Sequence, residues 1–413
     1  MADIRPFRAL HPESGFGERI AALPYDVYHR EEARVLTQKE PLSFLRIDRG
    51  ETNFPPGYDM YAPEVYEKCG SLLQEWIEKK YLTQEEESRY FIYELTMNGR
   101  VQTGVVGVAS VDDYCKNRIR KHENTREEKE QDRIRHIRGC QAQTGPIYLT
   151  FRDHRGLSVL MAGEKCGEAL FDITFEDGIR HRIFAVKDPK KAEEIRKAFL
   201  EIPRLYIADG HHRCASAARV CQDWREGQES YEESASVNYF LCVLFPQSEL
   251  EIMPYHRSVK DLYGYTPETF LKKLAERFEV TPQREPYQPK KCREFGMYFQ
   301  KQWYRLKYHK DPLESENPAE NLDVSLLQKD ILEPILGIGE PRTDSRIDFI
   351  GGIRGLQALE EKAEEGWAVS FSLKATTMEE LFAVADAELL MPPKSTWFEP
   401  KLRSGFFIHR IDT

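Results

Sequence analysis

The sequence predicts an α+β protein, a mixed β-sheet with helices packed on it, and three observations carry that reading. Apolar runs of strand length (89–95, 101–108, 147–151 and 238–245) are interspersed with amphipathic stretches of helical spacing, such as 62–80 and 191–200. Asn98-Gly99 and Asp177-Gly178 each fall between apolar runs and predict β-hairpins. An apolar run at 205–208 is broken by Asp209-Gly210 and passes into an alanine-rich helical segment, which is a strand, a tight turn and a helix.

Taken in order, residues 4–10 alternate as an opening strand or extended arm. The run at 21–28 ends in Pro24-Tyr25-Asp26-Val27, leaving Asp26 after a proline turn, where it serves either as an Asx turn or cap or as part of an active-site loop. Residues 51–61, rich in Gly, Pro, Asn and Tyr, predict a loop or lid ahead of the helix at 62–80. Tyr58, Tyr61, Tyr66 and Trp76 there suit either a base-stacking wall or ordinary core packing. Thr125 with Glu128 predicts a capping box opening a helix that ends at Gly139, with His122 and Glu123 just before it. The segment 191–200 predicts a helix leading into the 205–208 strand, and 238–245 a buried strand beyond. Further on come a helix over 266–279, a polar linker or long hairpin over 310–321, a strand at 369–373 and a helix at 378–386.

With 413 residues, 40% hydrophobic and 31% charged, the chain is long enough for two domains or one elaborated domain. A net charge of −10 argues against a nucleic-acid partner, which calls for a concentrated excess of Lys and Arg. No run approaches the roughly 18 apolar residues that cross a bilayer, and Met1-Ala2-Asp3-Ile4-Arg5 starts no signal peptide, so the expectation is a cytoplasmic protein with no membrane partner. The eight cysteines include no C-x-x-C pair, which points away from a disulfide framework and a cysteine zinc site.

The chemistry concentrates at Asp209-Gly210-His211-His212-Arg213. A helix N-terminus presents unpaired N–H groups to an anion, Gly210 permits close approach, and Arg213 offers a planar fork for phosphate oxygens. Asp209 either caps the helix or faces the ligand, handling a proton or a metal ion. The plain alternative is a capped helix with two surface histidines. Glu123 is a candidate base, against a solvent salt bridge; an H-E-x-x-H zinc motif is excluded because Arg126 stands where its second histidine belongs. Arg257, after a strand-like run, has either a plain structural role or that of a second cationic contact, and Lys394, Ser395 and Thr396 in a proline-stiffened loop suit charge neutralisation and phosphate binding.

The Asp209–Arg213 box resembles the Asp-Gly-His-His-Arg box of ParB/sulfiredoxin-fold free-serine kinases. Together with Pro24-Tyr25-Asp26-Val27, Lys121-His122-Glu123-Asn124-Thr125, the run from Arg342 to Phe349 and Met391-Pro392-Pro393-Lys394-Ser395-Thr396, it marks the chain as similar to the DUF1015 family. The resemblance implies a ParB/sulfiredoxin-like nucleotide-binding core over 1–255 and a C-terminal α+β region over 256–413 whose last segment, 391–413, returns to the active site. It further implies kinase chemistry on the hydroxyl of free L-serine or a similar small hydroxy compound, with ATP or ADP and Mg²⁺ as cofactors, and L-serine or O-phosphoserine as the small-molecule partner. On this reading Gly210, His211, His212, Arg213, Lys394, Ser395 and Thr396 bind the cofactor. Glu123, Asp209 and Asp26 are catalytic, Asp209 also holding the metal, while His122, Thr125 and Arg257 contact substrate. A phosphoserine phosphatase and a ParB-like CTP-binding regulatory module are the rivals, and homo-oligomerisation stays open.

Overall fold

The computed structural model describes residues 2–411. It divides into two compact units: the chain up to Leu250 together with the segment from Pro400, and Glu251–Glu399. The fold class is α+β in both, as the apolar runs and turns predict.

In the first unit the described residues form a nine-stranded mixed sheet. Its spatial order is Ile119–Arg120, Leu205–Asp209, Ile147–Phe151, Tyr239–Pro246, Arg100–Ser110, Phe91–Met97, Arg180–Ala185 and Phe171–Thr174, with Ile4–Arg5 added to Arg100–Ser110. Leu205–Asp209 runs parallel to Ile119–Arg120 and antiparallel to Ile147–Phe151, while Ile147–Phe151 runs parallel to Tyr239–Pro246. All eight residues of Tyr239–Pro246 are buried, as expected of a central strand covered on both faces. Both predicted hairpins form: Asn98 and Gly99 take φ of +52° and +78°, and Gly178 takes +74°, the left-handed values such turns need.

Ile207, Leu149, Phe240 and Leu244 of the sheet pack with Ala217 and Cys221 of the helix His211–Glu226 and with Ile195 and Phe199 of the helix Pro189–Glu201. The alanines allow that close approach. A second core gathers Leu10, Phe44, Leu72, Trp76 and Ile408, so the tail is part of this unit's interior. Trp76, fully buried here, is a core residue, and Tyr58 stacks on Phe54 at 4.5 Å.

The helix Glu127–Cys140 lies against His211–Glu226, where Ser216 Oγ donates to the backbone oxygens of His212 at 2.7 Å and Glu130 at 3.0 Å. The expected capping box is not formed. The helix starts at Glu127, and Thr125 Oγ1 instead donates to Glu130 Oε2 at 2.9 Å. Its far end stops at Cys140 with Gln141 left-handed.

In the second unit six strands form a separate sheet in the order Phe278–Gln283, Gln302–Tyr308, Glu294–Phe299, Val369–Ser372, Tyr255–Val259 and Ile347–Gly351. The helix expected over 266–279 is shorter, Pro267–Ala275 capped by Thr266, because Phe278 is recruited into the sheet edge. The polar stretch 310–321 lies wholly inside this unit and links its own elements. Among the described residues no helix is long and apolar enough to cross a membrane.

Candidate functional site

The strand Leu205–Asp209 ends at a glycine in the left-handed region, Gly210 at φ +94°, and the helix begins at once with His211. A Cβ at Gly210 would stand 3.1 Å from Arg213 Nε, so the turn brings backbone and guanidinium together over a space that only glycine leaves open. Asp209 closes the turn: its Oδ1 accepts from the Gly210 N–H at 2.7 Å. Its other oxygen accepts from Lys401 Nζ at 3.2 Å. Burial opposes ionisation of Asp209, but the Lys401 and Arg213 charges outweigh it and hold the carboxyl well below the usual range.

The two histidines face the loop that precedes Glu127–Cys140. His211 Nε2 accepts from the His122 N–H at 3.5 Å, and His212 Nε2 accepts from the Arg126 N–H at 3.0 Å. Since Nε2 is the acceptor in each, the neutral rings carry their proton on Nδ1. They are neutral at pH 7. Burial pushes His211 down to about 4 and also lowers His212. The protonated Nδ1 of His211 lies 3.9 Å from Glu123 Oε2, and Glu123 is one-third exposed. The box therefore holds the 122–126 loop by two ring nitrogens while Glu123 stands over it.

His122 lies in the interior, 1% exposed, its ring edge-on to His211 at 4.6 Å and hydrogen-bonded to the backbone of Ile207. From there it supports the box from behind. Arg213 donates to the carbonyl of Pro146 and lies with Ser404 and Thr144 around a small cavity of about 30 Å³. Tyr25 and Arg133 line that cavity and also a larger cleft of about 180 Å³ on whose wall Asp26, Lys129 and Tyr61 stand. Arg133 stacks on the Tyr25 ring at 4.0 Å. Asp26 is close enough to His212 to raise its proton affinity, so the proline turn at 24–27 and the box share one neighbourhood.

Arg257, Lys394, Ser395 and Thr396 all belong to the second unit. There the buried Arg257 donates to the carbonyls of Pro393 and Lys394, and Ser395 Oγ donates to Pro392 at 2.7 Å. Burial lowers Arg257 to about 9, still cationic at neutral pH. The C-terminal lysine bonded to Asp209 is Lys401, seven residues beyond Lys394. Its only trace in the sequence is its place in the same lysine-bearing loop.

The geometry fits a phosphate group, which the glycine cradle, the free first-turn N–H groups and the Lys401 ammonium would meet. A metal site built by the protein does not fit. Both oxygens of Asp209 are engaged, and among the described residues no group of three or more His, Cys, Asp or Glu is placed to hold an ion.

A family model described as a protein of unknown function, DUF1015, matches residues 4–325. The chain belongs to the DUF1015 family. No curated protein matches the sequence. Among solved structures, the DUF1015 chain is similar to a free serine kinase in complex with AMP, at 16% identity and a TM-score of 0.35, covering 74% of this chain and 91% of that one. A free serine kinase variant in complex with ADP matches at 15% identity and TM-score 0.35, covering 75% and 93%. A C-terminally truncated SbnI from Staphylococcus aureus matches at 12% identity and TM-score 0.39, covering 72% and 85%. Likenesses at this level show nothing of what the DUF1015 chain does.

Proposed function

We propose that the first unit is a nucleotide-dependent phosphotransferase, a kinase that moves a phosphoryl group from ATP or ADP to the hydroxyl of free L-serine or a similar small hydroxy compound. The observation that carries this reading is the left-handed Gly210 turn, with Arg213 folded against it and Lys401 bonded to Asp209. In phosphoryl transfer most of the catalysis is positioning and charge stabilisation, so a cation set beside unpaired backbone N–H groups is the main requirement. Lys401 and Arg213 supply the charge, and the first-turn N–H groups supply direction. Asp209, held ionised by Lys401, is a poor proton acceptor and serves to position that lysine. Glu123 is the better base: it is solvent-accessible and stands beside the box, its Oε2 3.9 Å from His211 Nδ1. The 180 Å³ cleft lined by Asp26, Lys129 and Arg133 offers opposite charges to a small zwitterionic acceptor. Magnesium, if it takes part, arrives on the nucleotide phosphates, and no step is drawn through it.

Thermal-shift titration with ATP, ADP, CTP and pyrophosphate, followed by product analysis with L-serine, tests the reading. Arg213→Ala is expected to abolish the nucleotide-induced shift. Glu123→Gln is expected to keep the shift and cut turnover by about 10²–10⁴-fold, the usual worth of a general base. Release of inorganic phosphate from O-phosphoserine without nucleotide would replace the kinase by a phosphatase. Wild-type behaviour of both variants would remove the site.

A further inference from the structure

The helices Pro63–Glu78 and Glu127–Cys140 touch where each carries a glycine. A Cβ on Gly70 would lie 2.0 Å from the Gly139 carbonyl oxygen, and one on Gly139 would lie 2.6 Å from that of Tyr66, so nothing separates the two backbones. Cys69 stands just before Gly70 and Cys140 just after Gly139. The crossing brings the two thiols close enough to shift each other's proton affinity, and a Cβ on Gly70 would lie 3.7 Å from the Cys140 Cα. His136 completes the group: its Nε2 is 2.9 Å from the Ile47 carbonyl oxygen and 3.8 Å from Cys140 Sγ.

Buried cysteine is commonly a small apolar filler, and Cys69 Sγ also bonds the Val65 carbonyl at 3.1 Å, an ordinary contact one helical turn back. Three features set this pair apart. A second thiol is in reach, an imidazole stands beside both, and Cys69 and His136 line the wall of the 180 Å³ cleft, which admits a water-sized molecule. The neighbouring Cys140, backed by His136, lowers the Cys69 thiol below its ordinary range, and Cys69 in turn raises Cys140. The other buried thiols, Cys214, Cys221 and Cys242, are raised by burial and are correspondingly inert.

We propose that Cys69 and Cys140 form a reversible oxidative modification site, closing to a disulfide when a small peroxide enters the cleft. The Cys69 sulfur attacks one peroxide oxygen; an S–O bond forms, the O–O bond breaks, and hydroxide leaves and takes up a proton. Cys140 then attacks that sulfur; the S–S bond forms, the S–O bond breaks, and a second water departs. Two electrons pass from the two sulfurs to one hydrogen peroxide, and a thiol reductant returns them. A disulfide requires Cα atoms about 4.4–6.8 Å apart, and the glycine contact beside Cys69 draws its helix in toward the Cys140 backbone. The bond would lock together the two helices that carry Tyr66, Lys129 and Arg133 into the cleft.

The test treats the full-length protein with equimolar hydrogen peroxide, unfolds it, alkylates the remaining thiols and maps the peptides by mass spectrometry. The expected result is a dominant Cys69–Cys140 cross-linked peptide that dithiothreitol removes and that Cys69→Ser and Cys140→Ser each abolish, with the exposed Cys115, Cys166 and Cys292 still alkylated. In Cys140→Ser a dimedone adduct is expected on Cys69. Recovery of both thiols in the alkylated form, a scatter of pairings among all the cysteines, or irreversible oxidation of Cys69 beside a free Cys140 would each overturn the proposal.

Discussion

Lys401 is the residue on which the box is balanced. Its side chain and that of Asp209 are 17% and 32% exposed, so the pair is screened in part by water and contributes only about 1 kcal/mol to stability. Lys401→Met is therefore expected to lower the denaturant midpoint slightly while removing most of the nucleotide-induced thermal shift; a shift of wild-type size in this variant would sever Lys401 from ligand binding. The buried imidazoles make a second prediction. Burial pushes His122 and His181 down to about 3 and His211 to about 4, against about 6.5 in an unfolded chain. Below pH 6.5 the unfolded chain binds the more protons, so the stability from these groups is complete above that pH and is lost progressively as pH falls toward 3. The melting temperature is expected to drop on acidification before the carboxylates titrate, and His122→Gln to flatten that slope. A melting temperature unchanged between about pH 6.5 and 4.5 would contradict the burial of these rings.

Where short-range chemistry decides an element, the sequence is legible. Asn98-Gly99, Asp177-Gly178 and Asp209-Gly210 all fold as predicted because left-handed backbone is a local demand, met in the same few residues that create it. Where a neighbour decides, it is not. Thr125 carries the signature of a cap yet bonds Glu130, and Phe278 leaves a helical pattern to pair with Tyr308 across the sheet. The candidate site shows the same split: Asp209 through Arg213 are visible in the sequence, whereas Lys401 acquires its role only through the tertiary fold, from 192 residues away. The crossing of Pro63–Glu78 on Glu127–Cys140 is likewise invisible in either helix alone, and it gives a test at this scale. Gly70→Ala forces a methyl into the Gly139 carbonyl, which must part the helices at a cost of about 1–3 kcal/mol. A stability within about 0.5 kcal/mol of wild type would show that the helices do not touch there.

The whole molecule consists of one unit inserted into another: Glu251–Glu399 interrupts a unit that resumes at Pro400. The inserted unit has a six-stranded sheet and a cluster of its own around Trp303, Ile350 and Leu359. Expressed by itself, Glu251–Glu399 is expected to give a cooperative thermal transition in calorimetry, and a featureless trace would mean that its core does not stand alone. The resumed segment carries Phe406, Phe407 and Ile408, all fully buried, as well as Lys401. A ribosome therefore completes the entire inserted unit before it delivers the ammonium that the Asp209 carboxylate awaits. Until then the nascent polypeptide holds an elbow without its counter-charge.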